Sequence, residues 1–327
     1  MPSPNDKSDY LVGVDLGGTK IYAGVFDTRL TLIGTAKVST KADRGANSVI
    51  ERIARCVLDA VDECDLTPKN IKAVGLGAPG TVDAETGRVV FAPNLKWENV
   101  PLQKELQKIL DLPVFVGNDC NLCMLGVYTH ELKSKPRHVA GIFVGTGIGG
   151  GLILNGEPHT GANHAAGEIG HTVLQAGGPK CSCGNDGCLE ALASRTAIFR
   201  RIQAAIKDGQ KTVLTDMLDD NLKDLRSGDL RKAIRRGDKF VEKIVLDAAQ
   251  YLGIAVGNLI NLFSPEVVVL GGGVIEALED DMMPVITRVG LAHILRGTEK
   301  GIEIISSRLG DHAGIVGAAV LARRAIK

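Results

Sequence analysis

The feature that most constrains this chain is a glycine-rich loop in which three cysteines and one histidine lie close together. Cys181, Cys183 and Cys188 are interleaved with glycines that allow a tight backbone curl, and His171 lies just upstream. One imidazole and three thiolates form a Cys₃His set, which suits tetrahedral zinc, and a zinc ion with four protein ligands is structural. The spacing therefore predicts a zinc loop over residues 171–188.

Two other interpretations of these cysteines are weaker. Buried cysteines that act as small hydrophobic residues occur in apolar runs, whereas this segment is polar and rich in glycine. The spacing is C-x-C, which differs from the C-x-x-C of thioredoxin-like redox motifs. Glu168 precedes the histidine by three residues and Glu190 follows the last cysteine by two. Closure of the loop would therefore fix two carboxylates, which suits a polyol ligand.

Size and charge indicate a two-domain soluble enzyme. The chain has 327 residues, with 38 basic and 38 acidic side chains, so its net charge of zero predicts no nucleic-acid or membrane partner. The first ten residues lack the apolar core of a signal peptide, and the longest apolar run, Tyr251–Phe263, is too short to span a membrane. Seven cysteines fit a reducing compartment, which predicts a cytoplasmic protein.

Alternating short apolar runs and helical periodicities predict an α/β fold. A hairpin over 11–27 is followed by a third strand, a helix, and two buried strands. The same order of strand, glycine turn and strand recurs over 140–156, which indicates internal duplication. We expect a smaller N-terminal domain of residues 1–118 plus 311–327 and a larger one of residues 119–310. The run Leu11–Lys20, which ends in a double-glycine turn, is predicted to form an antiparallel meander with Ile21–Asp27 and Leu30–Val38. The other predicted strands are Ile71–Leu76, Pro113–Val116, Val139–Val144, Leu152–Leu154 and Val267–Leu270; the predicted helices are Ser48–Cys64, 118–131, Leu189–Lys207, Asp229–Arg236, Asp238–Phe263 and Ala313–Ala325, with a further element over Pro101–Leu110.

The turn of the first hairpin has the residues of a phosphate site. Asp15 ends a strand, and Gly17, Gly18, Thr19 and Lys20 offer backbone N–H groups, a hydroxyl and an ammonium. The carboxylate would hold Mg²⁺ through water. An ordinary glycine-rich hairpin is the alternative, since hairpins favour glycine for steric reasons.

Two further glycine clusters predict a close approach of the backbone to a ligand. Gly145, Thr146 and Gly147 begin a literal G-x-G-x-x-G, but a returning strand follows where a dinucleotide fold needs a helix. Gly271 and Gly272 follow another buried strand. Neither hairpin turn has the order of a P-loop.

A polar pair follows the strand that ends at Val116. Asn118 and Asp119 lie at the carboxyl end of this strand and at the start of a helix, where active sites of open α/β sheets lie. The alternative is that one of the two side chains only caps the helix.

Together these motifs resemble the ROK family of sugar kinases, its glucokinases especially, in the actin-like ATPase superfamily. The resemblance runs in order along essentially the whole chain, and its most specific part is the cysteine segment with its flanking glutamates. Cys120 and Val127 depart from the family pattern, which commonly has alanine and glutamate there. The matching motifs are DLGGTK at 15–20, APG at 78–80, NDxN at 118–121, GTGIGGG at 145–151, GExGH at 167–171, CxCGxxGCxE at 181–190 and LGGG at 270–273.

The resemblance implies an actin-like, ribonuclease H-like fold of two α/β domains with a nucleotide and sugar cleft between them. It implies ATP-dependent phosphorylation of a hexose, most specifically glucose at its 6-hydroxyl, with Asp119 as catalytic base. His171 would serve sugar and zinc with one ring nitrogen each, and a homodimer is expected. The implied sugar contacts are Asn94, Asn118, Asp119, Glu168, His171 and Glu190; the implied nucleotide contacts are Gly17, Gly18, Thr19, Gly145, Thr146, Gly147, Gly271 and Gly272.

Other functions within and beyond this family stay open. An N-acetylmannosamine, N-acetylglucosamine or fructose kinase would use the same motifs. Sugar-responsive transcriptional regulators of the family carry an extra N-terminal helix-turn-helix domain, and only ten residues precede the first predicted strand. An actin-like assembly ATPase would have no use for the cysteine loop and its acidic flanks.

Overall fold

The computed structural model describes residues 10–218, 222 and 225–326, which form two compact units. The first unit contains the described parts of Met1–Lys135, Pro158–Ala166 and Asp311–Lys327, and the second contains those of Pro136–Glu157 and Gly167–Gly310. Residues 1–9, to which the signal-peptide argument applied, lie outside the described residues.

A five-stranded sheet forms the centre of the first unit, in the order β3-β2-β1-β4-β8. The first three strands form the predicted antiparallel meander, and β4 and β8 add to β1 in parallel. Because parallel strands end at one edge, Asp15, Gly77 and Gly117 lie side by side there. The strands are β1 (Tyr10–Leu16), β2 (Lys20–Phe26), β3 (Leu32–Ser39), β4 (Ile71–Ala78) and β8 (Val114–Asn118).

Four helices cover this sheet: α1 (Ala46–Asp62), α2 (Leu102–Leu110), α3 (Asp119–His130) and α10 (His312–Ala325). In α1 the apolar residues recur every three or four positions and are buried in one core cluster. Helix α10 lies very close to the sheet, since a Cβ at Gly75 would be 1.8 Å from the carbonyl oxygen of Ala318. A Cβ at Gly13 of β1 would likewise lie 1.9 Å from the carbonyl oxygen of Ile315, so the first turn of α10 packs directly on β1.

A small antiparallel sheet in the first unit was not predicted. It consists of β5 (Thr81–Asp83), β6 (Arg88–Ala92) and β7 (Trp97–Val100). Its strands are only three to five residues long, which is too short for an alternating pattern to stand out in the sequence.

The second unit repeats the arrangement of the first, as the sequence predicted. Its sheet has the order β11-β10-β9-β12-β13, in which β10 pairs antiparallel with β9, and β12 pairs parallel with both β9 and β13. The strands are β9 (Val139–Val144), β10 (Ile148–Leu154), β11 (Glu157–Pro158), β12 (Val267–Gly271) and β13 (Glu303–Ser306).

The helices of the second unit differ from the prediction in three places, one of which is the short helix Val213–Met217 that was not predicted. The helix predicted over 189–207 is interrupted at Ser194, whose extended backbone and side chain cap the second piece. Helix α9 was not predicted; it contains Pro284 and is kinked at Leu278. The helices are α4 (Leu189–Ala193), α5 (Arg195–Lys207), α6 (Val213–Met217), α7 (Ser227–Arg235), α8 (Lys239–Phe263) and α9 (Gly273–Ala292).

Helix α8 is central to the core of the second unit. It begins after Asp238, whose carboxylate accepts the backbone N–H groups of Phe240 and Val241. Among the described residues it is the helix with the length and composition to cross a membrane, and 61% of its most apolar window is buried within the protein. Its apolar residues form part of the main hydrophobic cluster of this unit, as those of a core helix do.

The division into units differs from the boundary predicted near Asn118. Helix α3 belongs to the first unit because it packs closely on α10. A Cβ at Gly317 of α10 would lie 1.7 Å from the carbonyl oxygen of Leu122, and one at Gly126 would lie 2.3 Å from that of Ala313. Asp119, the residue expected to act as the base, is therefore in the same unit as Asp15.

Candidate active site and thiol cluster

The predicted phosphate turn of the first unit is held by a residue outside it. The backbone N–H of Gly17 donates to the carbonyl oxygen of Lys20 at 2.9 Å, which closes the turn between β1 and β2. Thr40 is buried and makes two hydrogen bonds to the turn. Its hydroxyl donates to the carbonyl oxygen of Gly17 at 2.7 Å, and its backbone N–H donates to the carbonyl oxygen of Thr19 at 2.9 Å. Gly18 and Thr19 remain exposed, so the turn is fixed while its tip is open to a ligand.

Asp15 occupies an environment that disfavours its charge. Burial, and then the negative charge of Asp311, raise the pKa of its carboxyl to about 6, while Lys20 acts in the opposite direction. The carboxyl lies against the first turn of α10, since a Cβ at Gly314 would be 2.9 Å from its Cγ. A divalent cation would stabilise the ionised form, so this residue suits the predicted magnesium role.

Lys20 is engaged in the structure by a carboxylate that the sequence analysis missed. Its Nζ lies 2.6 Å from Oδ2 of Asp311, and Nζ of Lys37 lies 3.3 Å from the same oxygen. Lys37 also lies over the ring of Tyr22, 4.1 Å from the centroid. All three charged side chains are about half exposed, so solvent screens the pairs and their role is to orient Lys20.

The two polar residues at the end of β8, Asn118 and Asp119, make different contacts at the start of α3. Asn118 is the cap of α3: its Oδ1 accepts the N–H of Asn121 at 3.0 Å, and its Nδ2 donates to the carbonyl oxygen of Gly80 at 3.0 Å. Asp119 is the first helical residue, and its Oδ1 accepts the N–H of Cys120 at 2.8 Å. The capping interpretation is therefore confirmed for Asn118, and Asp119 follows it as the first residue of the helix.

Asn94 lies near the phosphate turn of the same unit. It is exposed in a short turn of 3₁₀ helix, and a Cβ at Gly18 would be 3.9 Å from its own Cβ. Asp119 is also near, since its Cα would be 3.3 Å from a Cβ at Gly77, which pairs with Asp15. The first unit thus brings its predicted sugar and phosphate residues to one edge of its sheet.

In the second unit the turn between β9 and β10 is held by the start of α5. The N–H of Arg195 donates to the carbonyl oxygen of Gly145 at 3.0 Å, and the hydroxyl of Thr196 donates to that of Thr146 at 2.7 Å. The Arg195 guanidinium also donates to the Thr146 hydroxyl. Neither Arg195 nor Thr196 was predicted, because no motif near residues 195–196 marks them as partners of a turn some 50 residues earlier.

The last glycine cluster connects β12 to the N-terminus of α9. Gly272 has a φ of +87° and caps this 20-residue helix; a Cβ there would lie 2.5 Å from the carbonyl oxygen of Val144. Its position beside β9 places Gly271 and Gly272 next to the 145–147 turn. A glycine turn and a helix N-terminus together suit an anion such as phosphate.

The four predicted zinc ligands converge. One ligand atom each of His171, Cys181, Cys183 and Cys188 lies within 4.8 Å of the others. The sulfurs of Cys183 and Cys188 are 3.7 Å apart, and Nδ1 of His171 is 3.7 Å from the Cys181 sulfur. Tetrahedral zinc with bonds of about 2.3 Å separates its sulfurs by about 3.8 Å, so the cluster has the size that zinc needs.

The loop backbone explains how the thiols meet. Gly187 has a φ of +76°, and a Cβ there would lie 1.7 Å from the carbonyl oxygen of Gln175. Backbone bridges pair Val173 with Cys188 and Lys180 with Asp186, which folds the segment back on itself. Burial, and then the neighbouring thiols, raise the pKa of Cys188 to about 12. Burial also raises the pKa of Cys181, so ionisation of these two thiols requires a cation nearby.

Glu190 connects the thiol loop to the glycine turn of the second unit. Its Oε2 accepts the N–H of Ile148 at 2.9 Å, and its Oε1 accepts the hydroxyl of Ser182 at 3.1 Å and faces the Cys181 sulfur at 3.8 Å. Burial raises the pKa of Glu168, His171 opposes this shift, and Glu190 adds to it. The two glutamates and His171 thus form one electrostatic group.

Comparison with known proteins decides the family. Residues 11–325 match the ROK family. The chain belongs to this family. It is 35% identical over 317 residues to the glucokinase of Thermotoga maritima, covering 97% of this chain and 98% of the relative. It is also 32% identical to a xylose repressor of Caldicellulosiruptor bescii, covering 80% of this chain and 65% of the repressor.

A solved ROK structure has the same fold. The ROK family glucokinase from Streptomyces griseus, in complex with glucose and AMPPNP, superimposes with a TM-score of 0.83 at 32% identity, covering 96% of this chain and 99% of that one. The predicted actin-like α/β fold is thereby confirmed.

The raised pKa of Asp15 gives a testable prediction. Because the folded pKa of about 6 exceeds the ordinary value of about 4, the folded protein binds this proton more tightly than the unfolded chain between these values. The contribution of Asp15 to stability is therefore most favourable below about pH 4 and is lost as pH rises through 6. Asp15→Asn lacks this loss. The difference in Tm between the variant and the wild type should therefore shift in favour of the variant as pH rises from about 4 to 7.

The measurement is thermal unfolding of both proteins across this pH range without nucleotide. Asp111→Asn, which removes an exposed carboxylate at the end of α2, is the matched control and should parallel the wild type. Parallel curves for Asp15→Asn would contradict the raised pKa.

Proposed function

We propose that the chain is an ATP-dependent hexose kinase that phosphorylates glucose at its 6-hydroxyl. The observation that carries the proposal is its near full-length similarity to the Thermotoga glucokinase. The positions of the predicted residues support it, because a glycine turn follows the end of a strand in each unit, with Asp15 and Asp119 beside the turn of the first unit and the Glu190 carboxylate beside that of the second.

In the proposed reaction, Asp119 accepts a hydrogen bond from the sugar hydroxyl and then takes its proton as the oxygen attacks the terminal phosphorus of ATP. Phosphoryl transfer needs little covalent chemistry from the protein, so positioning dominates. Asn118 fixes the start of α3 and hence the direction in which Asp119 leaves the sheet. Asn94, Glu168, His171 and Glu190 provide polar groups for the remaining hydroxyls.

The nucleotide is assigned to the glycine turns. Gly17, Gly18, Thr19 and Lys20 of the first unit, and Gly145–Gly147 with Gly271 and Gly272 of the second, present backbone donors. When bound at Asp15, Mg²⁺ neutralises charge on the phosphates. Zinc is assigned to His171, Cys181, Cys183 and Cys188, where it holds the loop that carries Glu190. Zinc bound to Nδ1 of His171 leaves Nε2 for the sugar.

Location and assembly follow from the same proposal. The absence of net charge argues against nucleic acid as a partner, and the reduced cysteines suit the cytoplasm. The homodimer and the cytoplasmic location stay predictions.

The first prediction concerns the base. Asp119→Asn keeps the size of the side chain but cannot accept the proton, so kcat should fall by about 10² to 10⁴ while sugar binding is retained. Steady-state ADP release and glucose binding measured by calorimetry check this. Asp111→Asn is the control for loss of an exposed carboxylate; turnover of Asp119→Asn equal to that of this control would contradict the role of base.

The second prediction concerns zinc. We expect about one zinc ion per chain in the wild type. Cys183→Ser should contain less zinc and unfold at a lower Tm. Cys183 is exposed, so its replacement removes a ligand with little loss of packing. Cys64→Ser, outside the cluster, should retain zinc. Full activity of the wild type with less than about half an equivalent of zinc by elemental analysis would overturn the assignment.

The third prediction tests the substrate with a coupled assay of ADP release. Glucose should give the highest kcat/KM among glucose, mannose, fructose and the two N-acetylated hexosamines, because buried polar groups left unpaired by an ill-fitting sugar are costly. Xylose has the ring hydroxyls of glucose but no 6-hydroxymethyl group, so it should release no ADP if the 6-hydroxyl is the acceptor.

Two outcomes would change the assignment. An N-acetylated sugar that exceeds glucose by tenfold would replace glucose and retain the kinase. If the protein binds a sugar but releases no ADP from ATP with any hexose, the kinase assignment would give way to that of a sugar-responsive regulator. The similarity to the xylose repressor provides the precedent for this assignment.

A further inference from the structure

A second pair of cysteines lies directly beside the proposed base. Cys120 and Cys123 form a C-x-x-C sequence in the first turns of α3, immediately after Asp119. Neither belongs to the thiol cluster of the second unit. The spacing C-x-x-C at a helix N-terminus is that of thiol–disulfide oxidoreductases, in which the first cysteine is reactive as a thiolate.

Helix geometry brings the two residues close to bonding distance. Residues three apart in an α-helix have Cα atoms about 5 Å apart, within the range of about 4.4 to 6.8 Å found in disulfides. Their Cβ atoms are about 5 to 6 Å apart, whereas a disulfide needs about 3.5 to 4.5 Å. A bond between them therefore requires the first turn of α3 to tighten.

The two thiols have different environments. Each residue keeps some exposed surface, although the thiol of Cys123 is enclosed by neighbouring atoms. Cys120 lies in the first turn, where the positive end of a helix favours a thiolate and the adjacent Asp119 carboxylate opposes it. Burial, and then the charges of Asp15 and Asp119, raise the pKa of Cys123 well above its usual value. Cys120 is therefore the thiol that reacts first, and Cys123 is the one that resolves.

We propose that Cys120 and Cys123 are a site of reversible oxidation, forming a disulfide that inactivates the base. The oxidant is a low-molecular-weight disulfide. The Cys120 thiolate attacks one of its sulfurs and releases one thiolate; Cys123 gives its proton to solvent, attacks the Cys120 sulfur and releases the second. The two cysteines lose two electrons, the small disulfide becomes two thiols, and a dithiol reverses the reaction.

Loss of activity is expected because the turn that must tighten begins at the proposed base. Asp119 is the first residue of α3, and its Oδ1 accepts the N–H of Cys120 at 2.8 Å. Drawing Cys120 toward Cys123 moves this N–H, and the carboxylate moves with it. A displacement of about 1 Å at a reacting group costs about 10² in rate. The effect on turnover rests on the proposed kinase function, whereas formation of the disulfide does not.

The test equilibrates the zinc-loaded protein in mixtures of reduced and oxidised glutathione. We expect the peptide containing residues 120–123 to lose two hydrogen atoms by mass spectrometry, and glucose-dependent ADP release to fall by about 10² and recover with dithiothreitol. Cys120→Ala and Cys123→Ala should keep the reduced activity and resist the oxidant. Cys64→Ser should respond like the wild type.

Three results would overturn the proposal. One is an unchanged mass of the 120–123 peptide at every glutathione ratio, whether or not the protein is a kinase. Another is equal inhibition of Cys120→Ala and the wild type. The third is inhibition that accompanies zinc release, measured by a colorimetric chelator, because it would place the oxidation at Cys181, Cys183 or Cys188. A protein without kinase activity under reducing conditions would contradict the proposed function, and the mass measurement would still decide the disulfide.

Discussion

The organisation of the second unit depends on the carboxylate of Glu190. Its two oxygens join structures that are distant in sequence: Oε2 accepts the N–H of Ile148 beside the glycine turn, and Oε1 accepts the hydroxyl of Ser182 within the thiol loop. A Cβ at Gly147 would lie 2.2 Å from Oε2, so only glycine lets the turn approach this closely. A carboxylate oxygen has a second lone pair, and each can still accept a sugar hydroxyl. Loss of the loop would therefore disturb both proposed binding regions of the unit.

In both units, helices begin beside the carboxyl ends of strands. α3 and α10 begin beside the ends of β8 and β1, and α5 and α9 begin beside the ends of β9 and β12. A helix start directs unpaired N–H groups and a partial positive charge at whatever lies there. In the first unit this charge meets Asp15 and Asp119, and in the second it meets glycine turns. The internal duplication thus places a glycine turn and helix starts at the strand ends of each unit, and in the first unit two carboxylates join them.

The sequence could predict features that depend on neighbouring residues. The hairpins follow from apolar runs around a glycine turn, and the thiol cluster follows from ligand spacing, so the structure confirms both. Contacts across the chain were not predictable: Lys20 and Asp311 are 291 residues apart, and Thr40 holds a turn from another strand. Helix α9 was missed because Pro284 and the kink at Leu278 interrupt its periodicity. The C-x-x-C of α3 is legible in the sequence, but the burial of Cys123 and its closeness to Asp15 depend on the folded structure.

The environments of the seven cysteines explain why oxidation would be selective. Burial raises the pKa of Cys56 to about 11, which suppresses its thiolate. Cys64 packs against Gly34, and its thiol donates to the carbonyl oxygen of Ala60. Zinc would hold the three thiolates of the loop in bonds that compete with oxidation. Cys120 and Cys123 alone combine partial exposure, helical proximity and a position outside the cluster. Because Cys120 follows Asp119 directly and Cys123 lies one helical turn further on, a change at these thiols would reach the proposed base through a single turn of helix.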